Sequence, residues 1–372
     1  MSDTASSFDA CVRITRSAVT GDIDALVAAL GDFAPGELAA AMRRHQLRPL
    51  VQHALEAHGA GALVSDGVHQ ALADAAPAGP RPSGTALLEG FVAARDTLAA
   101  AGIGVLLLKG AVLGERLYGG VDVRPQYDVD VLVASSDARR ARRVLESSGF
   151  RPCARDSHSV TLRRGAVSVD VHHGLRTSPA YRIDERGLWD RATTIGVAGH
   201  EILTLADTDT MTLLAMSVVE DLGFAMAKLK NLCDVWLLAR VLDAGTDWDG
   251  WLSARRAENL EAVVATGCAL ALEVMSTPGD PPRLGDALAR RRHLTGVANH
   301  TAAIDLLTSP RGAPANLAWF AGVYPGSLLR YRMHAFVGGL PDTLRYVRPG
   351  RLRYLVELRR VRRARPGLAP SP

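Results

Sequence analysis

Cysteine is scarce in this chain and unpaired. Its four cysteines, Cys11, Cys153, Cys233 and Cys268, lie far apart and none belongs to a C-x-x-C pair. That spacing argues against a structural zinc site and against a disulfide framework. Long apolar runs are missing too: no stretch approaches the roughly 20 uninterrupted apolar residues that a transmembrane helix needs. The opening MSDTASSFDA carries no charged segment followed by an apolar one, so no secretory signal is expected and the expected location is cytoplasmic. A strong excess of one charge is also lacking. The net charge of +4 and pI near 9.0 are only mildly basic, short of what marks a dedicated nucleic-acid binder. Aromatic residues make up just 5%, while alanine, glycine and arginine abound, as in the product of a GC-rich coding sequence.

What is present is an ordinary globular balance, 48% hydrophobic and 22% charged, over 372 residues, a length that favours two domains over one or three. The basic excess gathers at the end of the chain. Arg345, Arg348, Arg351, Arg353, Arg359, Arg360, Arg362, Arg363 and Arg365 are opposed only by Glu357. A solvated helix end and tail is the plainer reading; a docking surface for an anionic partner such as tRNA is the other, so RNA is a possible partner but not the favoured one.

Periodicity divides the chain. Apolar residues at three- and four-residue spacing (Ile23, Leu26, Val27, Leu30, then Leu38, Met42, Leu47, Leu50, Val51, Leu55) predict N-terminal helices over about 20–75. A Pro/Gly loop follows over 75–83, then a helix over 85–100. The pattern then changes. Ile103–Leu108 reads as a buried strand, 111–117 as a helix, 137–148 as a helix opened by Ser135 or Ser136 and closed by Gly149, and Ser159–Arg163 with Val167–Val171 as a strand pair joined at Arg164-Gly165. From about Asp207 helices dominate, over 210–219, 226–241 and 248–275, with a break at Pro281-Pro282. The expected fold is α+β: an N-terminal helical region (1–84), an α/β core (85–205) and a C-terminal helical domain with the Arg-rich tail (206–372).

The chemistry concentrates in YDVDVLV, Tyr127–Val133. In a strand, Asp128 and Asp130 project from one face while Val129, Val131 and Val133 project from the other. Two carboxylates side by side on a buried strand repel each other and lose hydration, so a cation between them is the natural remedy. A second strand, VSVDVHH, alternates in the same way: Val167, Val169 and Val171 share one face, Ser168, Asp170 and His172 the other. If it pairs beside the first, three carboxylates can hold two metal ions about 3.5–4 Å apart, an arrangement suited to in-line displacement at phosphorus. His172 is either a site neighbour that binds the acceptor or helps orient a carboxylate, or a structural or simply exposed histidine. Lys109-Gly110 follows the first strand, where glycine lets backbone N–H groups approach a polyphosphate and lysine adds a point charge. Arg124 is a second phosphate candidate, against a structural ion pair. Lys228 and Lys230, in a later helical segment, are candidates to reach a triphosphate, against a solvated helix face.

Taken together, LLLKGAVLGERLYGG, VRPQYDVDVLV, LESSGF and VSVDVHHGL resemble the uncharacterised nucleotidyltransferase family of the polymerase-β-like superfamily. MRRHQLRPLVQHAL and AKLKNLCDVWLLAR resemble the helical segments flanking its core, and the likeness runs from about Ile23 to Leu260. The resemblance implies a mixed-sheet nucleotidyltransferase core, two Mg²⁺ ions, and transfer of a nucleoside monophosphate from an NTP, ATP being the expected donor. It places Asp128 and Asp130 as the metal-binding pair, Asp170 as the third carboxylate, and Gly110 at the superfamily's Gly-Ser turn. Here Ala111 follows that glycine instead of serine, and the spacer to Asp128 is longer. The acceptor is open: a small molecule, a peptide natural product or a protein. A non-catalytic regulator of the toxin–antitoxin kind and a tRNA-directed transferase are the alternatives; the presence of all three carboxylates disfavours the first.

Overall fold

In a computed structural model of the chain, the structure describes residues 3–77, 81–155, 158–175, 181–223, 228–277 and 280–295. The Arg-rich stretch 345–365 lies outside them. Five helices come first: α1 (Asp3–Thr20), α2 (Ile23–Gly31), α3 (Pro35–His45), α4 (Arg48–Ala57) and α5 (Asp66–Asp74). Asp22 caps α2 by accepting from the Ala25 N–H, and Pro35 opens α3 where no N–H is needed. The apolar stripes named above are buried as expected, with Leu26, Leu30, Leu38 and Met42 fully enclosed. The first helix is an addition to the expected set. Its buried positions include Thr15, whose hydroxyl donates to the Cys11 carbonyl and so enters the core satisfied.

The middle of the chain supplies α6 (Gly84–Ala100), β1 (Leu106–Leu107), α7 (Ala111–Tyr118), β2 (Val129–Leu132), α8 (Ala138–Ser147), β3 (Arg151–Arg155), β4 (Ser159–Arg164), β5 (Val167–His172), α9 (Glu185–Asp190), β6 (Thr193–Val197) and β7 (His200–Thr204). The strands form one seven-stranded mixed sheet in the order β3-β4-β5-β2-β1-β7-β6. The pairs β5/β2 and β1/β7 are parallel and the rest antiparallel. Val129, Val131, Val133, Val169 and Val171 share a core with Leu87, Leu88, Phe91 and Leu98 of α6 and with Ala141 and Leu145 of α8, so both helices cover one face. On the other face Leu106, Leu108 and Leu132 join Leu188 in a smaller cluster. The mixed α+β architecture expected from the sequence is the one found. The first strand is shorter than expected, although the Leu108 N–H still donates to the Asp130 carbonyl. Helix α8 is not opened by Ser135 or Ser136; Asp137 stands at its N-cap position without a side-chain capping bond.

Six further helices follow: α10 (Asp207–Gly223), α11 (Leu229–Leu242), α12 (Trp248–Ala257), α13 (Glu261–Met275), α14 (Pro282–Ala289) and α15 (Arg292–Thr295). Two expectations are corrected. The helix anticipated from Met226 starts at Leu229, because Lys228 is extended (φ −132°, ψ 147°). The helix anticipated over 248–275 is two, broken where Asn259 turns left-handed (φ 59°). Helices α10–α14 share one apolar core with α1–α5, which also takes in Leu113, Tyr118 and Val123 from the sheet region. Among the described residues no single helix is long and apolar enough to cross a membrane.

Candidate active site

The parallel pairing of β2 with β5 sets the register Val129↔Val169, Asp130↔Asp170, Val131↔Val171 and Leu132↔His172. Asp130 therefore stands level with Asp170 on the sheet face away from α6 and α8. Strand alternation carries His172 onto the same face, two residues further along β5. His172 Nε2 lies 3.0 Å from Asp130 Oδ1 and 3.6 Å from Asp170 Oδ2. One ligand atom from each of the three falls within 4.8 Å of the other two. The Thr161 hydroxyl donates to Asp170 Oδ1 at 3.1 Å, which fixes that carboxylate from the neighbouring strand β4. The His172 ring tilts against His158 with centroids 5.5 Å apart.

On the opposite side of Asp130, Lys109 Nζ stands 3.4 Å from Oδ2. Burial alone would push the Asp130 carboxyl up, but the Lys109 ammonium and the His172 ring overcome it and hold it well below the usual carboxylate range. The same pairing raises Lys109 above its ordinary value. Asp128 stands just before β2 with a solvent-reached side chain, yet protein on its other sides and the charge of Asp130 push it up, with Lys109 offsetting only part. The converging cluster is thus Asp130, Asp170 and His172, with Asp128 at its rim rather than among the three. Next to Lys109, Gly110 adopts φ 75°, ψ −114° as the residue before α7, and a Cβ there would lie 2.5 Å from Gln126 Oε1. Only glycine fits that turn, so the free N–H groups of the α7 N-terminus follow directly on Lys109.

The family model described as uncharacterised nucleotidyltransferase matches residues 31–276 of the 372. The chain belongs to that family. Two solved structures resemble this nucleotidyltransferase at low levels. One is the antibiotic-resistance factor ANT(2'')-Ia in solution, 14% identical, covering 46% of this chain and 88% of its own, with a TM-score of 0.34. The other is an antigenic nucleotidyltransferase-like protein from Paracoccidioides brasiliensis, 15% identical, covering 61% of this chain and 95% of its own, with a TM-score of 0.26. No curated protein matches the chain.

In this nucleotidyltransferase the other cationic candidates divide. Arg124 does not turn toward the carboxylates. It is 4% exposed, its Nε and Nη2 bind both oxygens of Asp234 on α11 at 2.9 and 2.7 Å, and the Tyr118 hydroxyl donates to the same carboxylate at 2.7 Å. Burial would lower the Arg124 pKa, but Asp234 reverses the sign and keeps it firmly charged. Of the two readings weighed for Arg124, phosphate contact and a structural ion pair, the structure places it in the ion pair: its Nε/Nη2 edge is committed to Asp234 and the side chain is buried. Lys230, one turn before Asp234, donates to the Pro125 carbonyl at 3.2 Å. Burial, with Arg124 and Lys109 nearby, lowers its pKa to about 7. Lys228 precedes α11 and is partly exposed. Lys109, Lys228 and Lys230 all act on the Asp221 carboxylate of α10, which burial raises and these three cations oppose, so the three lysines border one region. Asp234, Thr161 and Asp221 went unnoticed in the sequence, since an isolated Asp or Thr in a helix or strand carries no motif. Among the described residues a cleft of about 630 Å³ lies among Arg116, Arg240, Asp280 and Arg283 and includes none of the site carboxylates. Its arginines already have partners, Arg116 in Asp207 and Arg240 in Asp280.

Proposed function

We propose that this nucleotidyltransferase moves a nucleoside monophosphate, AMP from ATP in the simplest case, onto a hydroxyl or similar acceptor of a small molecule, peptide natural product or protein. The acceptor oxygen bonds to the α-phosphorus, and the bond to the leaving pyrophosphate breaks. The observation that supports this most is the level pairing of Asp130 with Asp170, with Asp128 on the same face and Lys109-Gly110 alongside.

The donors fit a divalent ion: three carboxylates crowd one face, and Asp130 already draws the Lys109 ammonium and the His172 imidazole. Mg²⁺ held by Asp128, Asp130 and Asp170 would supply charge neutralisation at phosphate and a lowered pKa at the acceptor hydroxyl. The protein's own groups do the rest. The N–H groups opening α7 and the Lys109 ammonium bind the departing pyrophosphate, with Lys228, just before α11, and Lys230 on it adding charge. Asp170, steadied by Thr161, takes the acceptor proton. Arg124 and Asp234 hold the segment before β2 against α11, which keeps Asp128 and Asp130 in place.

The test is pyrophosphate release and transfer of label from α-labelled ATP, with Mg²⁺, into small-molecule, peptide and protein pools. Asp128→Asn, Asp130→Asn and Asp170→Asn should each lower turnover by on the order of 10²–10³-fold or more while circular dichroism stays native. Near-normal turnover in a folded variant removes that residue from the reaction, and no labelled product from any pool overturns the transferase reading.

A further inference from the structure

We infer that Tyr127 and Arg81 form a stacking platform for the nucleobase of the donor nucleotide, beside the first site carboxylate. This rests on the reading above and deepens it, adding a place for the base to a site so far defined by phosphates and acceptor.

Tyr127 is 40% exposed, although Val129 and Val131 just after it are buried. The Arg81 guanidinium carbon lies over its ring, 4.2 Å from the centroid, a cation–π contact. Among the described residues the N–H groups of Arg81 take no protein acceptor, and its side chain is exposed. Arg116 and Arg124, from neighbouring segments, are by contrast each spent on a carboxylate. An arginine that stacks without spending its N–H groups presents a flat cationic face and a row of donors to a ligand. The platform is also held from behind. Ser83 caps α6 by accepting from the Ala86 N–H at 3.1 Å, and Thr85 donates to Asp122 through its N–H at 3.0 Å and its hydroxyl at 2.6 Å. A Cβ on Gly84 would lie 2.0 Å from the Val121 carbonyl oxygen, so the start of α6 sits directly on the segment that leads to Tyr127. A surface set in place before binding lowers the ordering cost of the ligand.

Position selects the ligand. With the α-phosphate at Asp128 and Asp130, the pyrophosphate leaves toward Lys109 and α7, and the acceptor comes from the side of Asp170 on β5. The direction left for the nucleoside is back along the chain from Asp128, where Tyr127 is the next residue. Gln126, just before it, belongs to the phosphate turn: its Oε1 lies where a Gly110 Cβ would press, and its Nε2 donates to the Val121 carbonyl at 3.1 Å. The ring therefore stands beside that turn, away from Asp170. Aromatic rings and guanidinium planes are the surfaces on which proteins lay bases, and every base has a π-face to offer them. A purine covers more of such a surface than a pyrimidine, so the platform favours ATP and GTP over CTP and UTP.

The test is isothermal titration calorimetry of the full-length chain with ATP, with UTP and with inorganic tripolyphosphate, each in Mg²⁺. Tripolyphosphate carries the charge without a base. Tyr127→Ala and Arg81→Ala should each weaken ATP about tenfold and leave tripolyphosphate unchanged. Tyr127→Phe and Tyr127→Trp should keep the ATP affinity, whereas Tyr127→Leu, with apolar bulk but no π-face, should lose it. The unmodified chain should bind ATP more tightly than UTP, a comparison that needs no variant and so stands even where a variant misfolds. Equal affinity for ATP and UTP overturns the platform. Unchanged ATP affinity in alanine variants with native circular dichroism overturns it too, as does an equal loss of ATP and tripolyphosphate, which would make the two residues a charge or a support and not a base site. Failure of the underlying reading looks different: the unmodified chain then binds neither ATP nor tripolyphosphate.

Discussion

At the scale of single residues, the convergence of Asp130 with Asp170 was legible because strand alternation is a strict geometric rule. Two runs of valine alternating with polar residues can be buried on one side only if their carboxylates meet on the other. The partner of Arg124 was not legible. An arginine before an Asp-x-Asp strand has the same local pattern whether it faces a phosphate or an aspartate 110 residues later in the chain. Gly110 is the residue where local geometry makes the sharpest demand. Its φ of 75° lies where a side chain is strained, and a Cβ would press on Gln126 Oε1. Gly110→Ala should cost about 1–2 kcal/mol of stability, measured by urea denaturation, and weaken nucleotide binding more than it slows the bound reaction, since the turn aims the α7 N–H groups. A variant whose KM for the nucleotide is unchanged would show that these N–H groups do not touch it.

At the scale of elements, the apolar helices and the central strands could be read because each has a buried stripe or face. The edges could not. Strand β3 reads Arg-Pro-Cys-Ala-Arg, exposed and interrupted by proline, and β6 with β7 forms a hairpin around Ala198-Gly199 whose outward residues are largely polar. Their strand character comes from hydrogen bonding to a sheet already formed, which short-range pattern does not encode. The start of α11 was misjudged for a related reason: its N-terminus is set by what it docks on. There the Arg124–Asp234–Tyr118 cluster ties α11 to the segment ahead of β2, fully out of water. Asp234→Ala leaves a buried guanidinium unpaired and should cost about 3–5 kcal/mol by urea denaturation, whereas Arg124→Met with Asp234→Leu should recover most of it. A double variant no more stable than the single would mean that packing, not the unpaired charge, sets the penalty.

At the scale of the whole molecule, the helices before and after the sheet are one packed body, which joins segments more than 150 residues apart. A sequence read in windows shows two helical regions and not their union. His45 sits on that seam. It closes α3, is 4% exposed, and its Nδ1 accepts the free N–H of Leu229 at the start of α11 from 3.4 Å. Accepting that bond requires the neutral ring, and burial with Arg44 nearby lowers its pKa from 6.5 to about 3. The folded chain therefore refuses a proton that the unfolded chain takes below pH 6.5. This contribution to stability is complete above that pH and is lost as the pH falls toward 3, at about 1.4 kcal/mol per pH unit. Carboxylates lose their own contributions over the same acid range, so the comparison must be between variants. His45→Gln keeps an acceptor for Leu229 without the titration. Between pH 7.5 and pH 5 the unmodified chain should lose about 2 kcal/mol more than His45→Gln, read from urea midpoints at each pH. Parallel stability curves for the two proteins would show that His45 titrates as freely in the fold as outside it, and that the seam is not where acid acts.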